Sequence, residues 1–156
     1  IRASVTYNHI VEGTLALTGY FAWSTVCASR GILPGMQQVI KHIGGDERRH
    51  MAWGTFPCRR HVAADDSLWD VVDERMQELL VPAMGVVIGG REGEERPFGI
   101  DINEMAEYAM DKVGRRLGAI ESARGADVRV IDRDAAPEEL EETFHAEDQA
   151  VLAAVV

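Results

Sequence analysis

Asp46-Glu47-Arg48-Arg49-His50-Met51-Ala52-Trp53-Gly54 is the stretch on which the reading of this chain turns. On a helix, Glu47 and His50 stand three residues apart and project from nearly the same face, one turn from each other. A carboxylate oxygen and an imidazole nitrogen so placed can reach one metal ion. Glu-x-x-His taken alone also recurs on ordinary surface helices, so its neighbours carry the argument.

Working outward, Val39, Ile40, Ile43, Met51 and Trp53 keep helical spacing from Met36 to about Val62. Gly44-Gly45 and Pro57 interrupt good helix formers, at about 1 kcal/mol per glycine and about 3 for the proline, which predicts a weak or bent stretch over 44–57. Upstream, Val5, Ile10, Val11, Leu15, Leu17, Phe21, Ala22 and Val26 predict one long helix from Ala3 to Ser29, stopped by Gly31. Leu33-Pro34-Gly35 is then a tight link, and a short link makes the two helices antiparallel neighbours.

Downstream, Asp65 or Asp66 caps a third helix through about Ile88, with a kink expected at Pro82. Gly89 to Gly93 reads as a surface loop. Asp101-Ile102-Asn103-Glu104 has the form of a capping box, opening a fourth helix that runs to about Ala123 before Gly125. Val128-Arg129-Val130-Ile131 reads as extended, and Pro137-Glu138-Glu139-Leu140 starts a brief acidic helix. No Lys or Arg follows Arg133, so 127–156 is expected to be a peripheral, solvated acidic tail. The fold class is all-α, a helical bundle, with 1–156 expected to be the C-terminal part of a single domain and to supply about half of the bundle core plus C-terminal helices.

The composition narrows the function. With 26 acids against 16 Lys plus Arg, the 156-residue chain carries a formal charge of −10, which disfavours nucleic acid and anionic membranes as partners. No apolar run approaches the ~20 residues of a membrane span. Cys27 and Cys58 make no disulfide framework, no secretory signal is recognisable, and a cytoplasmic setting is expected. The chain opens at Ile1 without a methionine, and a helical pattern is already running by Val5, as expected of the C-terminal portion of a longer protein.

Glu12 extends the metal argument. It lies among Ile10, Val11, Leu15 and Leu17, where a buried carboxylate needs a partner; alternatively it belongs to a solvated stripe with Asn8 and Thr14. Glu12 precedes the turn centre by about 21 residues and Glu47 follows it by about 14, a height mismatch of roughly 10 Å at about 1.5 Å per residue. Pairing them therefore needs some irregularity. One Glu on one helix and Glu-x-x-His on its neighbour is half of a ferritin-like dimetal carboxylate site. Glu142-x-x-His145 repeats the motif formally, but in the acidic tail, and reads as surface. The other half is expected upstream of Ile1 or from a symmetric dimer.

Tyr7-Asn8-His9-Ile10-Val11-Glu12-Gly13 together with Asp46 to Gly54, Pro97-Phe98-Gly99 and Ser122-Ala123-Arg124-Gly125 resembles the C-terminal half of the ribonucleotide-reductase-small-subunit-like (R2-like) ligand-binding oxidases. The resemblance implies a ferritin-like bundle in which Glu12, Glu47 and His50 are ligands of a manganese/iron pair, or of two irons, that activates dioxygen. It implies that Tyr7 becomes ether-linked to a valine outside this chain, that Tyr20 is a second tyrosine near the site, and that Asp46 is the acid holding the ligand histidine. A long-chain fatty-acid-like ligand and a homodimer are implied as well. On an ideal helix Tyr7 points about 140° away from Glu12, so its role calls for local distortion.

The alternatives are a ribonucleotide reductase small subunit, disfavoured by the lack of Tyr or Trp after Phe144, and a ferritin-like iron-binding or metal-free scaffold. Trp23 and Trp53 read as core or helix-contact residues, with lining a ligand channel as the alternative, His9 as a satisfied structural histidine, Arg59-Arg60-His61 as a solvated helix end, and both cysteines as buried inert thiols.

Overall fold

Gly31 takes a left-handed backbone, φ 61°, and a Schellman-type pair of hydrogen bonds forms there, Gly31 N to Ala28 O at 3.1 Å and Ile32 N to Cys27 O at 3.1 Å. This closes α1, a continuous helix built of three stretches, Arg2–Ser4, Val5–Ala16 and Leu17–Arg30. Three residues after Gly31, Pro34, suited to a first turn, opens α2, Pro34–Ala64. The two long helices pack side by side, as their short link predicts.

The computed structural model describes residues 1–89, 97–134 and 136–155. After α2 come α3, Leu68–Ile88, a 3₁₀ turn at Pro97–Gly99, α4, Ile102–Glu121, α5, Val128–Asp134, and α6, Pro137–Val155. No strand occurs among the described residues, and the fold is an all-α, ferritin-like helical bundle. The main core joins Val5 and Ile10 of α1, Cys58 and Val62 of α2, Val72, Met76 and Ala83 of α3, and Val113 and Ile120 of α4. Most of the expected loop at Gly89 to Gly93 lies outside the described residues. No helix among the described residues is long and apolar enough to cross a membrane.

Three expectations are refined. First, α2 stays helical through Gly44, Gly45 and Pro57; burial of Met51, Ala52, Cys58 and Val62 around the proline offsets its local cost. Second, Val128 to Ile131 is helical: the Asp127 side chain accepts from Arg129 N at 2.8 Å, and Ile131 enters the core. Third, the acidic end is not a solvated tail as far as its side chains are described. Leu140 and Phe144 of α6 are buried in one cluster with Leu17 of α1 and with Met51 and Ala52 of α2.

Candidate metal centre

The Val5–Ala16 stretch of α1 is wound wider than an α-helix, with i→i+5 bonding such as Leu17 N to Glu12 O, and the Thr14 hydroxyl reaches back to His9 O at 2.8 Å. This winding has two consequences. Residues five apart come close to one face, so Tyr7 and Glu12 lose most of their expected divergence. The coil also rises less per residue, which reduces the height mismatch between Glu12 and Glu47.

At the same level α1 and α2 approach closely. A Cβ on Gly54 would lie 2.4 Å from the Asn8 side chain, and one on Gly13 would lie 3.0 Å from Met51 Sδ. Ser4 Oγ stands within hydrogen-bonding distance of both Gly54 O, 2.9 Å, and Asn8 Oδ1, 3.1 Å. Asn8 Nδ2 in turn donates to Glu12 Oε2 at 2.9 Å. A bare glycine on one helix thus seats the amide that orients a carboxylate on the other.

Glu12, Glu47 and His50 converge, each offering one donor atom within 4.8 Å of the others. His50 Nδ1 lies 3.2 Å from Glu12 Oε1 and 3.3 Å from Glu47 Oε2. Glu12 is 7% exposed, so the solvated alternative fails. Neither carboxylate has a Lys or Arg partner among the described residues. Two partly desolvated acids sharing one imidazole are short of positive charge. Separations near 3 Å match adjacent donors around a cation held at about 2.1 Å. The donor set therefore fits a divalent metal, and hard carboxylate oxygens with one imidazole suit manganese or iron.

Tyr20 donates to Glu47 Oε1 at 3.1 Å; burial, that hydrogen bond and the nearby charges of Glu47 and Glu12 push its phenol up to about 12. Tyr7, 61% exposed, stands on the open side of α1. Asp46 is not brought to His50; its carboxylate pairs with Arg49 on the surface. His9 is buried as expected, but neither ring nitrogen has a hydrogen-bond partner. Burial foremost, then the Arg116 charge, pushes its imidazole down to about 3. Trp23 and Trp53 are exposed, not core. Arg60 pairs with Asp132 at 2.7 Å, Arg59 is half-buried, and Cys27 and Cys58 are buried free thiols. Sequence reading missed Ser4, Asn8 and Gly54 as a positioning set; the four-residue spacing of Asn8 and Glu12 was the available signal.

No protein-family model matches the chain. Among solved structures, the R2-like ligand-binding oxidase from Sulfolobus acidocaldarius, determined by micro-crystal electron diffraction, superposes with a TM-score of 0.66 at 27% identity. The match covers 83% of this chain and 43% of that one, so the chain spans less than half the length of its structural neighbour. In backbone path this chain is similar, over most of its length, to part of an R2-like ligand-binding oxidase, and it brings two carboxylates and an imidazole together as a dimetal carboxylate protein requires.

Proposed function

We propose that Glu12, Glu47 and His50 are this chain's contribution to a manganese/iron centre in an oxygen-activating oxidase. The convergence of those three donors without a neutralising Lys or Arg carries the reading. A supporting observation is the surface around them. Met36, Val39, Ile43, His50 and Trp53 form an exposed stripe on α2, and Tyr7 and Val11 are exposed on α1. An apolar face surrounding charged donors suits burial beneath further helices that bring the remaining ligands.

When bound, the metal pair would supply dioxygen activation and oxidising power. The chain's own residues fix the donors. Asn8 holds one oxygen of Glu12 so that the other faces His50, and Tyr20 does the same for Glu47. Wide winding of α1 sets Tyr7 toward the Glu12 side, which supports an ether link between its phenol and a valine of the covering helices. A separate apolar cavity of about 540 Å³, bounded by Leu15, Trp23, Val26, Val87 and Met105 with Arg30 among its lining, suits a long-chain fatty-acid-like ligand; none of the three donors lines it. Assembly as a homodimer belongs to the same proposal.

Metal analysis of aerobically loaded protein tests the centre. Manganese and iron in near-equal amounts are expected, with His50→Ala losing one of them; unchanged metal content in that variant overturns the assignment. Iron alone would favour the reductase or storage alternatives. Peptide mapping should find the Tyr7 peptide joined to a valine-bearing one with loss of two hydrogens, and an unmodified Tyr7 rules out the ether link.

A further inference from the structure

A second cavity, of about 520 Å³, opens on the other side of Tyr20, between α1, α2, α4 and α6. Its chemistry differs from that of the chain as a whole. The protein carries a net charge of −10, yet this groove is bordered by Lys41, Arg48 and His145, with Asp148 as the single acid among its lining residues. Asp148 is already committed twice, to Lys112 Nζ at 2.7 Å and to Arg48 Nη1 at 3.3 Å. Lys41 has no ion-pair partner among the described residues. The lining residues thus leave Lys41 free to take an anionic group, with Glu47 standing just behind Tyr20.

Its other walls mix apolar and neutral polar side chains. Leu17 and Ile40 supply aliphatic surface, and the Phe21 and Tyr108 rings stack at 4.4 Å with planes 10° apart. Ser24 and Gln38 add neutral hydrogen-bonding groups. A volume of this size holds a small organic molecule. An unpaired Lys41 in a groove that also presents Leu17, Ile40 and the Phe21–Tyr108 stack favours an anion with an aromatic body.

We infer that this groove is a binding site for a small aromatic carboxylate, held through its charge by Lys41 and Arg48 and through its ring by the Phe21–Tyr108 wall. Tyr20 lines the groove and also donates to Glu47, so an occupant sits one side chain away from the donor triad. Binding itself requires no metal, and its failure would leave the metal assignment standing, as the reverse failure would leave the groove.

Benzoate and its neutral analogue benzyl alcohol, titrated into the metal-free full chain by two-dimensional NMR, test the site. Benzoate should give saturable shifts at groove residues, weakened by added salt, while benzyl alcohol gives none or much weaker ones. Lys41→Glu, on an exposed position that the fold does not use, should weaken benzoate about tenfold, the equivalent of about 1.4 kcal/mol. Ser24→Trp, which fills the groove, should abolish binding while the far-ultraviolet circular dichroism is retained. Absence of saturable benzoate shifts, equal affinity for both compounds, or unchanged affinity in Lys41→Glu each overturns the inference.

Discussion

Glu47 and Arg48 are neighbours in sequence but belong to opposite electrostatic arrangements. Arg48 joins a closed cluster on the α4–α6 side, where the fully buried Lys112 and Arg116 meet Asp148 at 2.7 Å and Glu147 at 3.1 Å. Arg116 also lies over the Phe144 ring at 3.6 Å. Every buried cation there has its carboxylate within the chain. Glu47 joins the triad, where two carboxylates converge on one imidazole and no Lys or Arg among the described residues answers them. In the first arrangement each buried cation has a carboxylate partner, and the cluster serves the fold. The second lacks the cation that the same physics would demand of a structural cluster, which is why it reads as a receptor for one.

The sharpest way to break this contrast is Asp148→Ala. It removes the carboxylate partner of the fully buried Lys112 ammonium, and breaking a buried pair from one side costs about 3–5 kcal/mol. Urea unfolding measures it; a loss below about 1 kcal/mol would mean the cluster is not closed. Acid probes the same side through His9. Its folded imidazole titrates near 3 against 6.5 for the ordinary group, so below 6.5 the unfolded chain binds a proton that the folded one refuses. Stability is then lost as pH falls from 6.5 toward 3, with a limiting slope of about 1.4 kcal/mol per pH unit. His9→Leu should flatten that slope between pH 6.5 and 5, and an unchanged slope there would show that His9 is not held neutral.

What the sequence made legible follows the same division. Glu-x-x-His, Glu12 and the tight link after Gly31 are local signals, and each needs only helical spacing to be read. The wide winding of Val5–Ala16 was not legible, because i→i+5 bonding leaves no simple residue signature; only the awkward angle between Tyr7 and Glu12 hinted at it. The α6 contacts were hidden for a different reason. Lys112 and Asp148 are 36 residues apart, and an acidic run looks solvated until its buried cations are known. Likewise Val128 to Ile131 has strand-like residues, and only the burial of Ile131 makes helix the better choice. Trp23 and Trp53 are not core although size and apolarity usually mean core; Trp23 borders a cavity, as its alternative reading allowed, and Trp53 lies on an open face.

A milder perturbation acts where the two helices set the triad. Gly54→Ala puts a methyl group 2.4 Å from Asn8, and overpacking of this kind costs about 1–3 kcal/mol. It should also weaken manganese(II) binding, because Asn8 loses its hold on Glu12 Oε2. Adding Asn8→Gly, which removes the Asn8 Cβ that also lies 2.4 Å away, should recover part of that stability without restoring metal affinity. Recovery of both would show that Asn8 does not position the ligand.

The smallest expected change in stability is the most diagnostic. Glu12 is nearly as buried as Asp148, so if it were a structural ion-pair partner, Glu12→Gln would cost as much as cutting the α6 cluster. In the triad, however, Glu12 faces another carboxylate and a single imidazole, and its amide replacement keeps the shape while relieving like charge. The metal-free variant should therefore unfold within about 1 kcal/mol of the parent, since most of what a buried carboxylate loses is regained when it need not be charged. The rise in Tm on adding manganese(II), which reports cation binding to the folded state alone, should disappear. A large loss of stability without metal, or a preserved manganese(II) shift, would move Glu12 from the receptor to the framework and erase the distinction between the two clusters.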